Sequence, residues 1–136
     1  MMKTRSLLTL IAFVSFFNAV AQDSQGVEAP VDPGKMVYEQ NCLACHQVDA
    51  SGVPFLAPPL IEGTFVNGDK KRLIEILLKG LQGVEIKGEQ YANPMPAFDY
   101  LSDKEIADLL TYVRGNFKNN GDAVTEAEVK SVRDTK

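Results

Sequence analysis

The sequence predicts an all-α chain of three to four short helices joined by long ordered loops. Three observations carry this. Apolar residues recur at three- and four-residue spacing in separate segments, each opening behind a helix-capping residue. Nowhere do apolar and polar residues alternate as they do in a half-buried strand. The stretches between the periodic segments are too rich in glycine and proline to continue a helix.

Taken in order, residues 1–21 carry Lys3 and Arg5, an apolar run from Leu7 to Phe17, and then Ala19-Val20-Ala21. Small residues at that place predict a signal peptide cleaved after Ala21. The apolar run is short for a membrane helix, which needs about 20 residues, although an uncleaved anchor is the alternative. No cysteine stands at the cleavage point, so lipid attachment there is excluded. Residues 22–31, QDSQGVEAPV, are polar and without period and are expected to be a flexible linker.

Structure is expected from Asp32, an N-cap followed by Pro33 at the first helical position, which opens a short helix running into the only cysteine pair. Residues 49–63, DASGVPFLAPPLIEG, read as an irregular loop. Asp69 caps a second helix whose Leu73, Ile76, Leu77 and Gly80 share one face, with Lys70, Lys71, Arg72, Glu75 and Lys79 mostly on the other. The Lys70–Arg72 run reads either as a docking patch or as a solvated face. Gly80, Gly83 and Gly88 break up the chain beyond this helix, and the prolines around Met95 in YANPMPAF, residues 91–98, require an extended loop. Ser102 and Glu105 form a capping box for a third helix continuing through Ile106, Leu109, Leu110 and Val113. Thr125 and Glu128 predict a last short helix with Val129 and Val132 on its apolar side. One domain over 32–119 is expected, with 120–136 as a C-terminal tail.

Removing residues 1–21 leaves 14 − 2 = 12 Lys+Arg against 18 Asp+Glu, a formal charge of −6. That balance argues against nucleic acid, whose phosphates need cationic neutralisation, and favours partners with a basic docking face. No membrane insertion is expected after signal cleavage. Fewer than about 100 residues in short helices bury little apolar area, so a staple or a cofactor is needed to complete the core.

The segment Asn41-Cys42-Leu43-Ala44-Cys45-His46 supplies it. C-x-x-C-H is the attachment signature of a c-type haem: two thiols on one helical turn can each form a thioether with a vinyl group, and the adjacent imidazole is aimed at the iron. Three other uses of the pair fit poorly. A disulfide across two residues closes a strained loop. A redox dithiol of thioredoxin type wants a βαβ setting. A zinc site needs a fourth ligand, and no further Cys or His exists.

At this point the chain resembles the class I c-type cytochromes, bacterial monohaem proteins among them. Beyond the haem motif, Gly34 and Tyr38 on the first helix match positions that this family pairs with an apolar and an aromatic residue on the last core helix, here Leu109 and Tyr112. The resemblance runs from Gly34 to Asn119. It implies the cytochrome c fold, helices and long loops wrapped around one covalent haem c, with Cys42 and Cys45 as its anchors and His46 as one axial ligand. It implies also that the carbonyl of Pro58 accepts a hydrogen bond from His46 and that Leu60 packs on the haem, the alternative being that Pro58 and Pro59 only stiffen a loop. Residues 93–98 look like the family's distal loop, with Met95 as the second axial ligand; Met36 lies on the helix before Cys42, and Met1 and Met2 belong to the signal. Tyr91 and Asn93 are candidates for a propionate contact or for simple loop roles.

The expected function is a periplasmic one-electron carrier, not an enzyme, exchanging electrons with a dehydrogenase, a quinol-oxidising complex or a terminal oxidase. The alternatives are a cytochrome subunit of a dehydrogenase or oxidase complex, and a haem enzyme or gas binder with an open distal side.

Overall fold

The computed structural model describes residues 30–135. The predicted signal peptide, residues 1–21, and most of the expected linker, residues 22–31, lie outside the described residues. Five helices run in order: α1 (Pro33–Asn41), α2 (Leu43–His46), α3 (Lys70–Lys79), α4 (Asp103–Gly115) and α5 (Glu126–Asp134). Among the described residues there is no strand, only isolated bridges, so the fold is the all-α one the sequence predicts. No helix among them is long and apolar enough to cross a membrane.

The caps act as the sequence predicts. The Asp32 carboxylate accepts from the backbone N–H groups of Gly34 and Lys35, Asp69 accepts from Arg72, and both Ser102–Glu105 and Thr125–Glu128 form complete capping boxes. Each satisfies donors that a helix start leaves unpaired.

α1 crosses α4, and Gly34 sets how close the two come. A Cβ there would run into the Asp108 carbonyl and stand 2.6 Å from Cβ of Tyr112, so only glycine permits this approach. Around the crossing Tyr38, Tyr112 and Phe117 pack as an aromatic triple with centroids 5.3–5.8 Å apart, and Leu109 of α4 is buried. Leu73, Leu77, Ile106, Leu110 and Val113 complete the core.

Two buried polar side chains stitch the long loops to α4. Arg114 donates to the carbonyls of Val66, Gly68 and Asp122. Asn119 donates to the carbonyls of Leu60 and Val113 and accepts from Gly63 and Asn67. These bonds meet the rule that buried polar groups be paired, and no buried side-chain N or O among the described residues lacks a partner.

The basic run that opens α3 is divided between two structural tasks. Lys70 Nζ donates to the Ala123 carbonyl at 2.6 Å and to Glu128 at 3.0 Å, and the Arg72 guanidinium lies 4.2 Å over the Phe65 ring. α5 is thereby held on α3, and Val129 is fully buried. At its other end Arg133 donates to Asp103 and to the carbonyls of Asp99 and Leu101 at 2.6–2.8 Å.

The Glu128 carboxyl lies below its usual range because it accepts from the Thr125 backbone and from Lys70. A depressed acid stabilises the fold above its unfolded pKa and loses that contribution as pH falls through its folded pKa. We therefore expect α5 to loosen as pH falls below the ordinary carboxylate range and through the folded pKa of Glu128. Glu128→Gln should flatten that part of the pH profile and lower stability at neutral pH by only about 0.5 kcal/mol, because Gln still closes the capping box and what is lost is the charge facing the half-exposed Lys70. Amide exchange along 126–134 as a function of pH measures it.

Candidate functional site

α1 ends at Asn41, and the chain re-enters a single helical turn at α2, so Cys42 and Cys45 fall on that turn with His46 at its end. Both cysteines are unpaired, Cys42 buried and Cys45 exposed. Burial first, and Cys45 beside it, pushes the Cys42 thiol up to about 12. A redox dithiol needs the opposite shift, a thiol made acidic, so the buried Cys42 does not suit that use of the pair.

His46 is buried, and its Nδ1–H donates to the Pro58 carbonyl at 2.9 Å. With Nδ1 engaged, Nε2 is the ring nitrogen free to bind. Desolvation holds the imidazole below its ordinary pKa, the hydrogen bond to Pro58 working against it. A neutral imidazole is the form that ligates a metal, and such a bond fixes its tautomer and orientation.

The loop that brings Pro58 back to His46 depends on Gly52. Its φ is +71°, and a Cβ there would stand 2.5 Å from the Ala57 carbonyl oxygen and 2.7 Å from that of Pro58. Gly52 N–H donates to the His46 carbonyl at 3.0 Å and Leu60 N–H to the Ala50 carbonyl at 2.9 Å. Asn119, through its bond to the Leu60 carbonyl, ties this loop to α4. Sequence reasoning did not find Asn119, whose loop partners Leu60, Gly63 and Asn67 lie more than fifty residues away; nothing local marks it.

Met95 reaches the same crevice from another direction. The chain between α3 and α4 doubles back so that Leu81 and Met95 pair as an isolated antiparallel bridge, and Phe98 N–H closes on the Leu77 carbonyl at 2.7 Å. Nearby, Ala92 and Asn93 donate their backbone N–H groups to the carbonyls of Phe55 and Leu56. The Tyr91 hydroxyl donates to Glu89 at 3.2 Å.

One crevice collects all six site residues the sequence singles out: Cys42, Cys45, His46, Pro58, Leu60 and Met95 line it together. Tyr91 and Asn93 stand on it as well. Apolar side chains from α3, α4 and the loops, such as Leu73, Ile76, Leu77, Phe98 and Leu109, form most of its wall, and among the described residues Lys87 is the one charged side chain on it. No group of three or more His, Cys, Asp and Glu among the described residues could hold a metal ion by itself. Two thiols, one oriented imidazole and one thioether on an apolar wall fit a large flat metal macrocycle carried on covalent links.

Known proteins agree. The sequence model described as Cytochrome c matches residues 31–116. Cytochrome c-552 of Thermus thermophilus is 40% identical over 85 residues, 59% of this chain and 64% of its own length. The gluconate 2-dehydrogenase cytochrome c subunit of Pantoea cypripedii is 36% identical over 104 residues, 74% of this chain and 24% of its own. A cbb3-type cytochrome c oxidase subunit CcoP of Azospirillum brasilense is 36% identical over 92 residues, 62% of this chain and 28% of its own. The chain thus spans less than two thirds of the length of these relatives. With a matching family model over most of the folded part, and with Cys42, Cys45 and His46 in the C-x-x-C-H motif on an apolar crevice, the chain belongs to the cytochrome c family, whose cofactor is covalently attached haem c.

Proposed function

We propose that this chain is a periplasmic one-electron carrier in which Cys42 and Cys45 hold haem c through thioethers and His46 and Met95 are the axial ligands of its iron. The observation that supports it most directly is the convergence of His46 and Met95 on one apolar crevice, each held there by backbone hydrogen bonds. The haem, when bound, supplies a reversible one-electron couple.

The chain supplies the rest. His46, turned by Pro58, offers Nε2 as a neutral nitrogen donor; Met95 offers a sulfur that needs no deprotonation and favours the reduced metal. If His46 and Met95 both held the metal, no place on it would be left for a substrate, which is why the reading is a carrier and not an enzyme. The apolar walls from α3 and α4 exclude water and keep the charge change in a medium that reorganises little. Leu60, on the crevice wall, would pack against the haem.

The acidic chain should meet basic partners faster at low salt. We expect the rate of electron exchange with a basic redox protein to fall as ionic strength rises past about 0.1 M, where the screening length is about 10 Å, and the rate with an acidic partner to rise. Stopped-flow mixing at several salt concentrations measures both. Rates indifferent to salt with both would remove net charge from the account of encounter.

A second reading is a cytochrome subunit of a larger complex. It is favoured by the relatives whose printed names are subunits of gluconate and quinone-dependent alcohol dehydrogenases and of cbb3 oxidases. Mild purification from native membranes separates the two: a subunit travels with a dehydrogenase or oxidase at fixed stoichiometry, and a carrier does not.

A further inference from the structure

Gly80 ends α3 with φ +79° and ψ −179°, a backbone region open essentially to glycine alone. A Cβ at this position would stand 2.5 Å from the Met95 carbonyl oxygen and 3.1 Å from the Ala97 nitrogen. The close approach is what lets the next residue pair. Leu81 N–H donates to the Met95 carbonyl at 3.0 Å, and Met95 N–H donates to the Leu81 carbonyl at 2.8 Å.

Pro94 and Pro96 have no N–H to give. Met95 therefore carries the only backbone donor between Asn93 and Ala97, and Leu81 takes it. The segment bearing the thioether is fixed to the end of α3 by this two-bond clamp, continued at Phe98 by its bond to the Leu77 carbonyl. Gly83 offers a comparison within the same connection: its φ is +65°, yet a Cβ there meets nothing within 4 Å.

We propose that Gly80 is a positioning residue for Met95: by leaving room for the Met95 carbonyl against the end of α3, it holds the thioether where it can bind the iron. The proposal rests on Met95 as the axial ligand. A side chain at 80 would push the 94–97 segment off α3 and carry the sulfur away, although it touches neither the sulfur nor the iron.

The test compares unmodified holoprotein, Gly80→Ala and Gly83→Ala. Its readouts are the near-infrared sulfur-to-iron charge-transfer band of the oxidised form and the affinity for imidazole as a competing ligand. In the unmodified protein and in Gly83→Ala the band is present and imidazole binds weakly. In Gly80→Ala the band is weakened or lost and imidazole binds about tenfold or more tightly, the scale of one strained backbone position released, while haem stays attached and helicity is kept. Should Gly80→Ala not accumulate, replacing the Leu81 amide by an ester removes the one N–H that binds the Met95 carbonyl and leaves the side chains untouched; it should shift the same two readouts in the same direction. A band and imidazole affinity unchanged in either clamp variant would overturn the positioning role with Met95 ligation intact. A band missing from the unmodified protein would overturn both.

Discussion

Cys42→Ala, Cys45→Ala and His46→Ala should each remove most of the recoverable folded protein, with His46→Ala at least as severe as either cysteine replacement. The crevice is not a groove on a finished core; it lies at the centre of one. Leu73, Leu77, Leu109, Leu110 and Val113 belong both to the apolar core and to the crevice wall. Whatever fills the crevice is therefore core to all of them. Losing an apolar group larger than any side chain should cost roughly 5 kcal/mol or more, given about 3–5 kcal/mol for a single large aromatic, and that is comparable with the whole stability of a small domain. Helicity by circular dichroism and resistance to proteolysis read the result. A stable, fully helical chain without attached haem from any of the three would contradict this account of the core.

Met95→Ala should spare attachment and change the metal. Cys42, Cys45 and His46 are untouched by it, so colour should remain on the denatured polypeptide. The near-infrared band should vanish, and carbon monoxide should bind readily to the reduced form. The potential should fall by on the order of 100 mV, a modest part of the roughly 0.8 V that axial ligation spans, because a neutral thioether favours reduced iron and water in its place does not. A variant with unchanged potential and unchanged reluctance to bind carbon monoxide would mean that the methionine only fills space in its loop.

Local chemistry is what the sequence shows best. Asp32, Asp69, Ser102 and Thr125 act as caps because capping joins a side chain to backbone two or three residues away. Leu73, Ile76, Leu77, Ile106, Leu109, Leu110 and Val113 are all buried because three- and four-residue spacing fixes a helix face. The bond from His46 to Pro58 spans twelve residues and was legible only through family resemblance.

What could not be read is what joins distant segments. Arg114 falls one turn after Leu110 and so on the buried face, but its carbonyl partners are set by how the 64–69 stretch and the chain at Asp122 fold back on α4. Lys70 and Arg72 look alike in sequence and do different things, one pairing with Glu128 and the other stacking on Phe65. The pairing of Leu81 with Met95 has no alternation to announce it, since prolines flank one partner and a glycine precedes the other.

The claim that His46 and Met95 share one iron is tested most directly by proton magnetic resonance of the reduced, unmodified protein. A methionine methyl group bound at the axial position sits over the macrocycle, inside its ring current. The account predicts a three-proton signal displaced far upfield of the ordinary methyl region, absent from Met95→Ala and insensitive to carbon monoxide at neutral pH. A reduced spectrum with no such signal, from protein whose haem is covalently attached, would contradict it and leave an open distal side in place of a carrier.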